Sequence, residues 1–288
     1  MKRASVLLLA TAAVGLSTVD DVAAQQRWAN PVKALLREGK PVVGLTMTIP
    51  SPDVALQAAR LGFDFLWIEM EHSPITLESL RSIVLATSGT SCMPITRVPV
   101  NELWTAKRVL DAGSMGVIFP FTSTPELARQ AVAACRYPPL GSRGSGPGLA
   151  SLRWPAPGGY HDFADQSVLV VAIIEQVQAV ERIDEIAATP GLDVLFVGPS
   201  DLSFSMGLRG RQDDPGLKEA IAKVLAAGKR HGVAVGRPAG PEQIGAFVKE
   251  GFQFFQASSE LGMMAAGSRA LLEAVGKSSG DGRPRPMY

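Results

Sequence analysis

The sequence predicts an α/β protein that folds as a single (β/α)8 barrel, known as a TIM barrel. Beyond Trp28, short β-branched runs alternate with longer amphipathic stretches, which is typical of parallel βαβ units. Eight such units fit into about 250 residues, the count and length of a TIM barrel. An open doubly wound sheet usually carries a glycine-rich turn after its first strand, and none follows residues 42–47.

Periodicity and chain punctuation define each predicted element. Apolar, β-branched runs predict strands at residues 42–47, 65–68, 94–98, 116–119, 168–174, 194–197, 233–236 and 252–256. Amphipathic stretches predict helices at residues 53–61, 77–86, 102–112, 125–135, 179–187, 217–231, 242–250 and 261–275. Several predicted helices are followed by glycine, which readily ends a helix; these glycines are Gly62, Gly113, Gly232 and Gly251.

One connection, after the fourth βα unit, is longer than the others. Residues 136–166 show little periodicity and include Gly-Ser-Arg-Gly-Ser-Gly at 141–146. A loop of this length inside a compact domain is usually functional or disordered, and we predict a lid or rim over the functional site. The glycine-rich stretch follows a helix and not a strand, so it indicates flexibility more than a nucleotide-binding loop, with Arg143 as a candidate contact for a substrate carboxylate.

The N-terminus has the layout of a secretory signal peptide. A basic start at residues 1–3 precedes an apolar run at 6–19, and small residues at 22–24 precede Gln25. The apolar run is shorter than the roughly 20 residues that a membrane-spanning helix needs. We therefore predict a leader at residues 1–24, a barrel domain at 25–288 with no membrane partner after cleavage, and a periplasmic or secreted bacterial protein.

Composition narrows the class of partner. The chain has 288 residues, of which 46% are hydrophobic, and a formal net charge of +1, so it can bury a sizeable core. No basic cluster marks a nucleic-acid surface, and we predict a small-molecule partner and no nucleic acid. Cys92 and Cys135 offer neither a disulfide framework nor metal-ligand spacing. Both are predicted at the N-terminal face of neighbouring units, so a disulfide between them stays an open hypothesis.

Polar residues follow four of the predicted strands. Active sites of TIM barrels lie at the C-terminal ends of the strands. The candidates there are Glu69, Glu71 and His72 after the second strand, Arg97 at the end of the third, Glu175 after the fifth, and Ser200 and Asp201 after the sixth. Acids, a histidine and an arginine are thus predicted to converge on one face.

Two of these acids predict a divalent-metal site. Glu175 and Asp201 each follow an apolar run and stand 26 residues apart, which fits one βα unit plus a strand. A carboxylate at the end of a buried strand is costly without a partner, and a hard cation is the usual partner for two of them. Because no pair of cysteines or histidines accompanies them, the donors favour Mg²⁺ or Mn²⁺ over a structural zinc ion.

Two other chemistries find no support in the sequence. A Schiff-base mechanism needs a lysine inside the barrel, whereas the nine lysines fall in helices, in turns before strands or at the termini. A serine hydrolase of the α/β type would show a Gly-x-Ser-x-Gly elbow, which the chain lacks.

Five motifs follow one another in a familiar order. They are GFDFLWIEMEH at 62–72, RVPVNE at 97–102, KRVLDAG at 107–113, RYPPLGSRG at 136–144 and FVGPSDLS at 196–203. Over about residues 32–275 the chain resembles the HpcH/HpaI aldolase/citrate lyase family. The most similar branch is the class II pyruvate aldolases, which act on 2-keto-3-deoxy sugar acids or on keto diacids such as 2,4-dihydroxyhept-2-ene-1,7-dioate. The resemblance implies a TIM barrel, a keto-acid substrate that is cleaved reversibly to pyruvate and an aldehyde, and a homo-oligomer, either a trimer or a hexamer.

The resemblance also implies a role for each candidate. Glu175 and Asp201 match the residues that hold Mg²⁺ or Mn²⁺, with Co²⁺ as a further candidate, while pyruvate chelates the metal. Arg97 matches the arginine that stabilises the enolate oxygen, and His72 matches the histidine that transfers protons. The backbone amides of Ser200 and Asp201, at a helix start, are implied to receive the pyruvate carboxylate.

The chain departs from the family pattern in three places. Glu69 and Glu71 complete the implied catalytic set, but Glu69 stands where members often carry the shorter aspartate. Ile173 stands two residues before Glu175, where some close members carry glutamine. A leader peptide is unusual in the family.

Two alternative functions stay open at the level of sequence. A lyase acting on coenzyme A thioesters, as on the citrate lyase side of the superfamily, would be favoured by a basic nucleotide-contact patch on the rim. An exported, non-catalytic binding barrel would also carry a leader. Solute-binding proteins, however, need two lobes and a hinge, which eight evenly spaced βα units do not predict.

Overall fold

A closed barrel of eight parallel strands forms the centre of the protein, as the computed structural model shows for residues 28–156 and 158–277. The strands are β1 Val42–Met47, β2 Phe65–Glu69, β3 Met93–Arg97, β4 Gly116–Phe119, β5 Leu169–Ile174, β6 Val194–Val197, β7 Ala234–Pro238 and β8 Phe254–Ser259. Each strand pairs with the next, and β8 pairs with β1. The predicted barrel is therefore confirmed, with strand ends shifted by at most three residues. The predicted leader, residues 1–24, lies outside the described residues.

Helices alternate with the strands along the chain. They are α1 Pro31–Arg37, α2 Pro52–Arg60, α3 Leu77–Ala86, α4 Leu103–Asp111, α5 Pro125–Ala134, α6 Gly148–Arg153, α7 Tyr160–Ser167, α8 Val177–Glu181, α9 Ile183–Ala187, α10 Pro199–Ser205, α11 Pro215–His231, α12 Ile244–Glu250 and α13 Glu260–Glu273. The predicted helix at 179–187 is in fact two short helices, α8 and α9, and α10 is an additional helix immediately after β6. No described helix is both long and apolar enough to cross a membrane.

Aromatic side chains fill the interior of the barrel. The rings of Trp67 on β2 and Phe196 on β6 lie 4.8 Å apart, and those of Phe65 and Phe254 lie 4.4 Å apart. Because β2 and β6 stand on opposite sides of the barrel, the first contact crosses its axis. Side chains alternate along a strand, so Glu69 faces the same interior as Trp67, at the C-terminal end of β2.

Helix α1 closes the N-terminal end of the barrel. Asn30, its N-cap, donates from Nδ2 to the carbonyl oxygens of Met115 and Ser167, and its Oδ1 accepts from the backbone of Val32. The buried Lys33 ammonium lies 3.0 Å from Asp193. Burial lowers the pKa of Lys33, and the carboxylate of Asp193 partly restores it. This end is therefore sealed by paired polar groups, and the opposite end is left for a site.

The long connection at residues 136–166 lies at the sealed end, so the prediction of a lid or rim over the site is wrong. Arg153 donates to the carbonyl oxygens of Val84 and Thr87, which end α3, and Trp154 donates to Gly113 after α4. The physical reason is direction: the segment leads from a helix to a strand, and such connections return to the N-terminal ends of the strands. Part of it also folds into α6 and α7.

Both cysteines are buried and no disulfide joins them. Burial raises the pKa of the Cys92 thiol to about 12, and burial likewise raises that of Cys135 to about 12. Because the thiolate is the reactive form, these are inert core thiols in this structure.

Candidate active site

A cavity of roughly 1210 Å³ opens at the C-terminal ends of the strands and gathers most of the predicted residues. Arg97, Glu175, Ser200 and Asp201 line it. Trp67 lies at its base, together with Phe196 from the barrel interior. Four polar side chains from β3, β5 and the start of α10 thus meet above an aromatic floor, as the topology of a TIM barrel predicts.

Glu69 is the fully buried acid of this site. Its Oε2 accepts from the indole Nε1 of Trp67 at 3.0 Å and lies 3.4 Å from Nη1 of Arg97. Its Oε1 accepts from the backbone amides of Glu71 at 2.8 Å and His72 at 3.1 Å. One carboxylate therefore fixes both the loop that carries His72 and the guanidinium of Arg97.

Arg97 sits among three carboxylates. Its Nη2 forms an ion pair with Glu71 and lies 3.9 Å from Oε2 of Glu175, while Nη1 faces Glu69. The guanidinium is buried, and buried charges persist only when they are paired. Its fork geometry suits this bidentate arrangement, which a lysine would not reproduce.

Glu175 follows β5 and is held from the neighbouring loop. Its Oε1 accepts from the backbone amide of Phe121 at 2.6 Å. Phe121 has a φ of 49°, a left-handed conformation that is uncommon for a bulky residue. Gly198 passes close on the other side, where a Cβ would lie 3.1 Å from Cβ of Glu175 and 3.2 Å from its Oε2. A side chain at position 198 would therefore displace this carboxylate.

The acids of the site repel one another. Burial raises the pKa of Glu71 to about 7, Arg97 opposes this rise, and Glu175, Glu69 and Asp201 add to it. Burial also raises the pKa of Glu175, which is lowered by the amide of Phe121 and by Arg97 and raised again by Asp201. Glu69, Glu71 and Glu175 thus share one guanidinium. Additional positive charge would stabilise these acids.

The donor set fits a hard divalent cation. Carboxylate oxygens are the ligands that Mg²⁺ and Mn²⁺ prefer, and Mg²⁺ typically binds one or two carboxylates and keeps several waters. Glu175 and Asp201 line the same cavity, and the negative charge of Asp201 raises the pKa of Glu175. Within residues 28–156 and 158–277, no group of three or more His, Cys, Asp and Glu side chains is arranged as a metal site. Two carboxylates, completed by water or substrate, are therefore the arrangement that these residues allow.

His72 stands beside this centre, 43% exposed at its side chain, with Nε2 3.6 Å from Oε2 of Glu71. It lines a second, smaller cavity of roughly 400 Å³ with Thr48, Ile49 and Leu261. A histidine at the edge of the site, next to a carboxylate and open to solvent, is a candidate for proton transfer.

Ser200 and Asp201 occupy the first turn of α10. Ser200 is half-buried and Asp201 is exposed, and both line the larger cavity. Pro199 at the helix start is preorganised for this position.

The structure does not bring Arg143 to this site. Its side chain is fully buried, its Nη2 lies 2.8 Å from Asp111, and its guanidinium lies 4.6 Å from the ring of Tyr137. Arg143 belongs to the helix-to-strand connection at the sealed end of the barrel, so the predicted contact with a substrate carboxylate has no geometric support. Its pairing with Asp111 and Tyr137 is a structural one.

Two contacts of the site were not predicted from the sequence. The amide of Phe121 holds Glu175, as described above. Glu260, at the start of α13, accepts through Oε1 from the amides of Thr48 and Ile49 at 2.6 Å each, which ties the loop after β1 to the last helix. Neither contact has a sequence signal. Both use backbone amides as donors, and the contact of Glu260 also spans more than two hundred residues.

Comparison with known proteins gives a consistent result. A sequence profile described as HpcH/HpaI aldolase/citrate lyase matches residues 43–266. The chain is 36% identical over 242 residues to 2-dehydro-3,6-dideoxy-6-sulfogluconate aldolase of Pseudomonas putida, covering 84% of this chain and 94% of that protein. It is 40% identical over 209 residues to 4-hydroxy-2-oxovalerate aldolase of Novosphingobium aromaticivorans, covering 71% and 79%.

A solved structure agrees with these relatives. The crystal structure of a HpcH/HpaI aldolase/citrate lyase family protein from Burkholderia cenocepacia J2315 superposes with a TM-score of 0.79 at 35% identity, covering 86% of this chain and 100% of that one. With the barrel and the site described above, these matches show that the chain belongs to the HpcH/HpaI aldolase/citrate lyase family and is a carbon–carbon lyase of the aldolase type.

Proposed function

We propose that the protein cleaves a 2-keto-4-hydroxy acid reversibly into pyruvate and an aldehyde, with Mg²⁺ or Mn²⁺, or else Co²⁺, held by Glu175 and Asp201. One observation carries the proposal: a buried guanidinium and a cluster of acids face one cavity at the C-terminal end of the barrel. The relatives act on keto acids by name, which supports the substrate class. When bound, the cation would polarise the keto group and make the hydrogens on the adjacent carbon more acidic.

The protein's own residues account for the remaining chemistry. Cleavage breaks the bond between C3 and C4, leaving an electron pair that becomes an enolate of pyruvate. Arg97 presents a fixed positive charge to this anion, and its position is set in advance by Glu69 and Glu71, so little reorganisation accompanies the reaction. His72 lies next to Glu71, lines the smaller cavity, and is the group that takes the proton from the C4 hydroxyl.

The last helix supports association into a homo-oligomer, which we propose to be a trimer or a hexamer. None of the residues of α13 is buried, although several are apolar. Leu261, Met264 and Leu271 on this helix, and Val275 after it, are all exposed. A contiguous exposed apolar surface of this kind usually meets another chain.

Exchange of pyruvate hydrogens with solvent tests this function without the aldehyde. In deuterated water with Mg²⁺ or Mn²⁺, the protein should replace the C3 hydrogens of pyruvate by deuterium, detected as loss of the methyl signal in NMR spectra. EDTA should stop the exchange, and added metal should restore it.

Matched variants identify the residues responsible. Glu175→Gln or Asp201→Asn should abolish exchange at ordinary metal concentrations, because each removes one of the two carboxylates facing the cation. Glu219→Gln and Asp162→Asn change exposed acids of the same types and should leave exchange intact. Exchange that persists in EDTA, or in both site variants, would contradict the assignment of Glu175 and Asp201 as metal ligands. Absence of exchange in the unaltered protein with added metal would favour a non-catalytic barrel.

A periplasmic or secreted location is a further part of the proposal. It rests on the leader-like pattern of residues 1–24.

A further inference from the structure

The main cavity is larger than a pyruvate unit requires, and its lining residues fall into two groups, which define an inner and an outer arm. The inner arm reaches the barrel axis at Arg97 and Glu175. The outer arm runs between the loops after β6 and β7 and then between helices α11 and α12; it is lined by Ile221, Leu225, Arg237, Phe247 and Phe252, among others. Its volume of roughly 1210 Å³ exceeds the range of about 300–1,000 Å³ typical of small-molecule sites. The two arms are continuous, so one molecule can occupy both.

Strand register places Arg237 at the level of the candidate metal ligands. Gly236 pairs with Phe196, and Ile174, directly before Glu175, pairs with Val197. Arg237 is therefore two strands from Glu175 at nearly the same height, a separation of about 10 Å between backbones. Gly236 faces the interior, since a Cβ there would lie 3.0 Å from the ring of Phe196. Because neighbouring side chains alternate, Arg237 points away from the axis into the outer arm.

The guanidinium of Arg237 is held in place but has no anionic partner. Its central carbon lies 3.7 Å from the centroid of Phe247 and 5.3 Å from that of Phe252. Its Nε is buried without a hydrogen-bond acceptor, and among the described residues no carboxylate forms an ion pair with it. Stacking on an aromatic ring uses the face of the guanidinium and leaves its in-plane donors available for a carboxylate or phosphate.

The surroundings of Arg237 specify the rest of the ligand. Ile221, Leu225, Phe247 and Phe252 provide an apolar wall along the outer arm, and such a wall favours a hydrocarbon spacer over a polyhydroxylated one. Burial lowers the pKa of Arg237, and Glu250, the acid near the far end of the arm, partly restores it. An arginine remains charged in either case. Arg237 is half-buried and its Nε is buried without an acceptor, so an anion that binds there would satisfy a donor.

We propose that Arg237 is a specificity-determining residue that binds an anionic terminal group of the substrate, carried by the aldehyde portion on an apolar spacer of several carbons. The inference rests on the proposed function, because the inner arm must hold the pyruvate portion. Cleavage would then proceed as before: the C3–C4 bond breaks, the proton of the C4 hydroxyl leaves, C3 gains a proton, and the released aldehyde carries the anionic group at its other end.

A binding experiment tests the anion subsite without catalysis. Hexanoate, a carboxylate on a short apolar chain, is titrated by NMR into the full protein, with 1-hexanol as the uncharged comparison. Arg237→Gln should weaken hexanoate binding about 10- to 100-fold, the range for a hydrogen bond to a charged group, and should leave hexanol binding unaffected. Lys249→Gln removes an exposed positive charge from α12 outside the cavity and should bind hexanoate as the unaltered protein does.

A cleavage experiment tests the same residue in the reaction. The protein is given 2-keto-4-hydroxynonanedioate and 2-keto-4-hydroxynonanoate, which differ only in the terminal carboxylate, and pyruvate release is followed. The diacid should be preferred in kcat/KM about 10- to 100-fold. Arg237→Gln should abolish this preference, and Arg237→Lys should retain part of it, because the charge remains without the planar fork.

The two experiments separate failure of this inference from failure of the proposed function. Hexanoate that does not bind, or binds equally well to the Arg237→Gln variant with an unchanged melting temperature, overturns the anion subsite even if pyruvate exchange occurs. Equal preference for the diacid in the unaltered protein and in both Arg237 variants overturns it as well. Absence of pyruvate exchange refutes the proposed function, while hexanoate binding that depends on Arg237 would still establish the subsite.

Discussion

Replacing Glu69 by glutamine should destabilise the protein more than the same replacement of an exposed glutamate would. The side chain is fully buried and accepts four hydrogen bonds from N–H groups. These belong to the indole of Trp67, the guanidinium of Arg97, and the backbone amides of Glu71 and His72. Glutamine has the same length but carries one acceptor and one donor group. In either orientation of the amide, its NH2 group faces other N–H groups.

The magnitude follows from these contacts. A hydrogen bond to a charged group contributes about 1.5–3 kcal/mol, and a buried unsatisfied donor costs about 1–3 kcal/mol. Glutamine loses the hydrogen bonds to a charged group and introduces a buried unsatisfied donor. Removal of one negative charge near Glu71 and Glu175 offsets part of this cost. We expect a net loss of about 3 kcal/mol in the free energy of unfolding, which corresponds to a decrease in Tm of about 6–12 °C for a domain of this size.

Thermal unfolding of metal-free protein above pH 7 provides the measurement, and Glu219→Gln, an exposed acid on α11, provides the control. The control should unfold within about 1 °C of the unaltered protein. If Glu69→Gln unfolded at the temperature of the control, the reasoning would be refuted, since the buried carboxylate would then contribute nothing through its contacts.

Three further predictions concern the site and the leader. His72→Ala should lower the rate of aldol cleavage about 10²-fold or more, because the proposal assigns proton transfer to this residue. Its affinity for Mn²⁺, measured by equilibrium dialysis, should stay the same, and a loss of affinity would indicate that His72 is a metal ligand instead. Because its pKa is raised to about 7, Glu71 binds a proton more tightly in the folded protein, so the free energy of unfolding of metal-free protein should fall as pH rises from about 4.5 to about 7. Denaturant titrations at several pH values should show that the free energy of unfolding of Glu71→Gln depends less on pH than that of the unaltered protein. Equal pH dependence in the two proteins would contradict this prediction. N-terminal sequencing of exported protein should give a sequence that begins near Gln25. A sequence that begins at Met1 would contradict the prediction of a cleaved leader.

The barrel could be predicted because its local and global signals agree. Each strand is an apolar run, since a parallel strand inside a TIM barrel is covered on both faces. The polar residues directly after such runs are then the exceptions, and topology places them together at one end. Glu69, Arg97, Glu175 and Asp201 were found in this way. In the structure, Arg97, Glu175 and Asp201 line one cavity, and Glu69 contacts Arg97.

The long connection shows which property of a sequence decides where a loop lies. Length suggested a lid, but residues 136–166 follow a helix and precede a strand, so they return to the N-terminal end of the barrel. Arg143 travels with them and pairs with Asp111 at that end. Whether a loop leads from a helix to a strand can be read from the sequence. This property, and not the length of the loop, decides at which end of the barrel the loop lies.

Other features had no readable signal. The amide of Phe121 donates to Glu175 from a backbone with a left-handed conformation at a bulky residue, and neither feature has a pattern in the sequence. The break between α8 and α9 interrupts a stretch whose periodicity is continuous enough to predict one helix. Arg237 resembled any strand-end residue, and its significance comes from its two aromatic neighbours and the cavity beside it.

Charge balance connects the stability of this site with its chemistry. Glu69, Glu71 and Glu175 face a single guanidinium, and burial weakens the screening that water would provide. In the proposed reaction, the same weak screening would make Arg97 effective toward the enolate, because little water surrounds the guanidinium and its orientation is already fixed. A divalent cation between Glu175 and Asp201 would relieve most of the remaining negative charge. The cost of burying these charged groups and the capacity of the site to bind a cation and an enolate therefore have one physical origin.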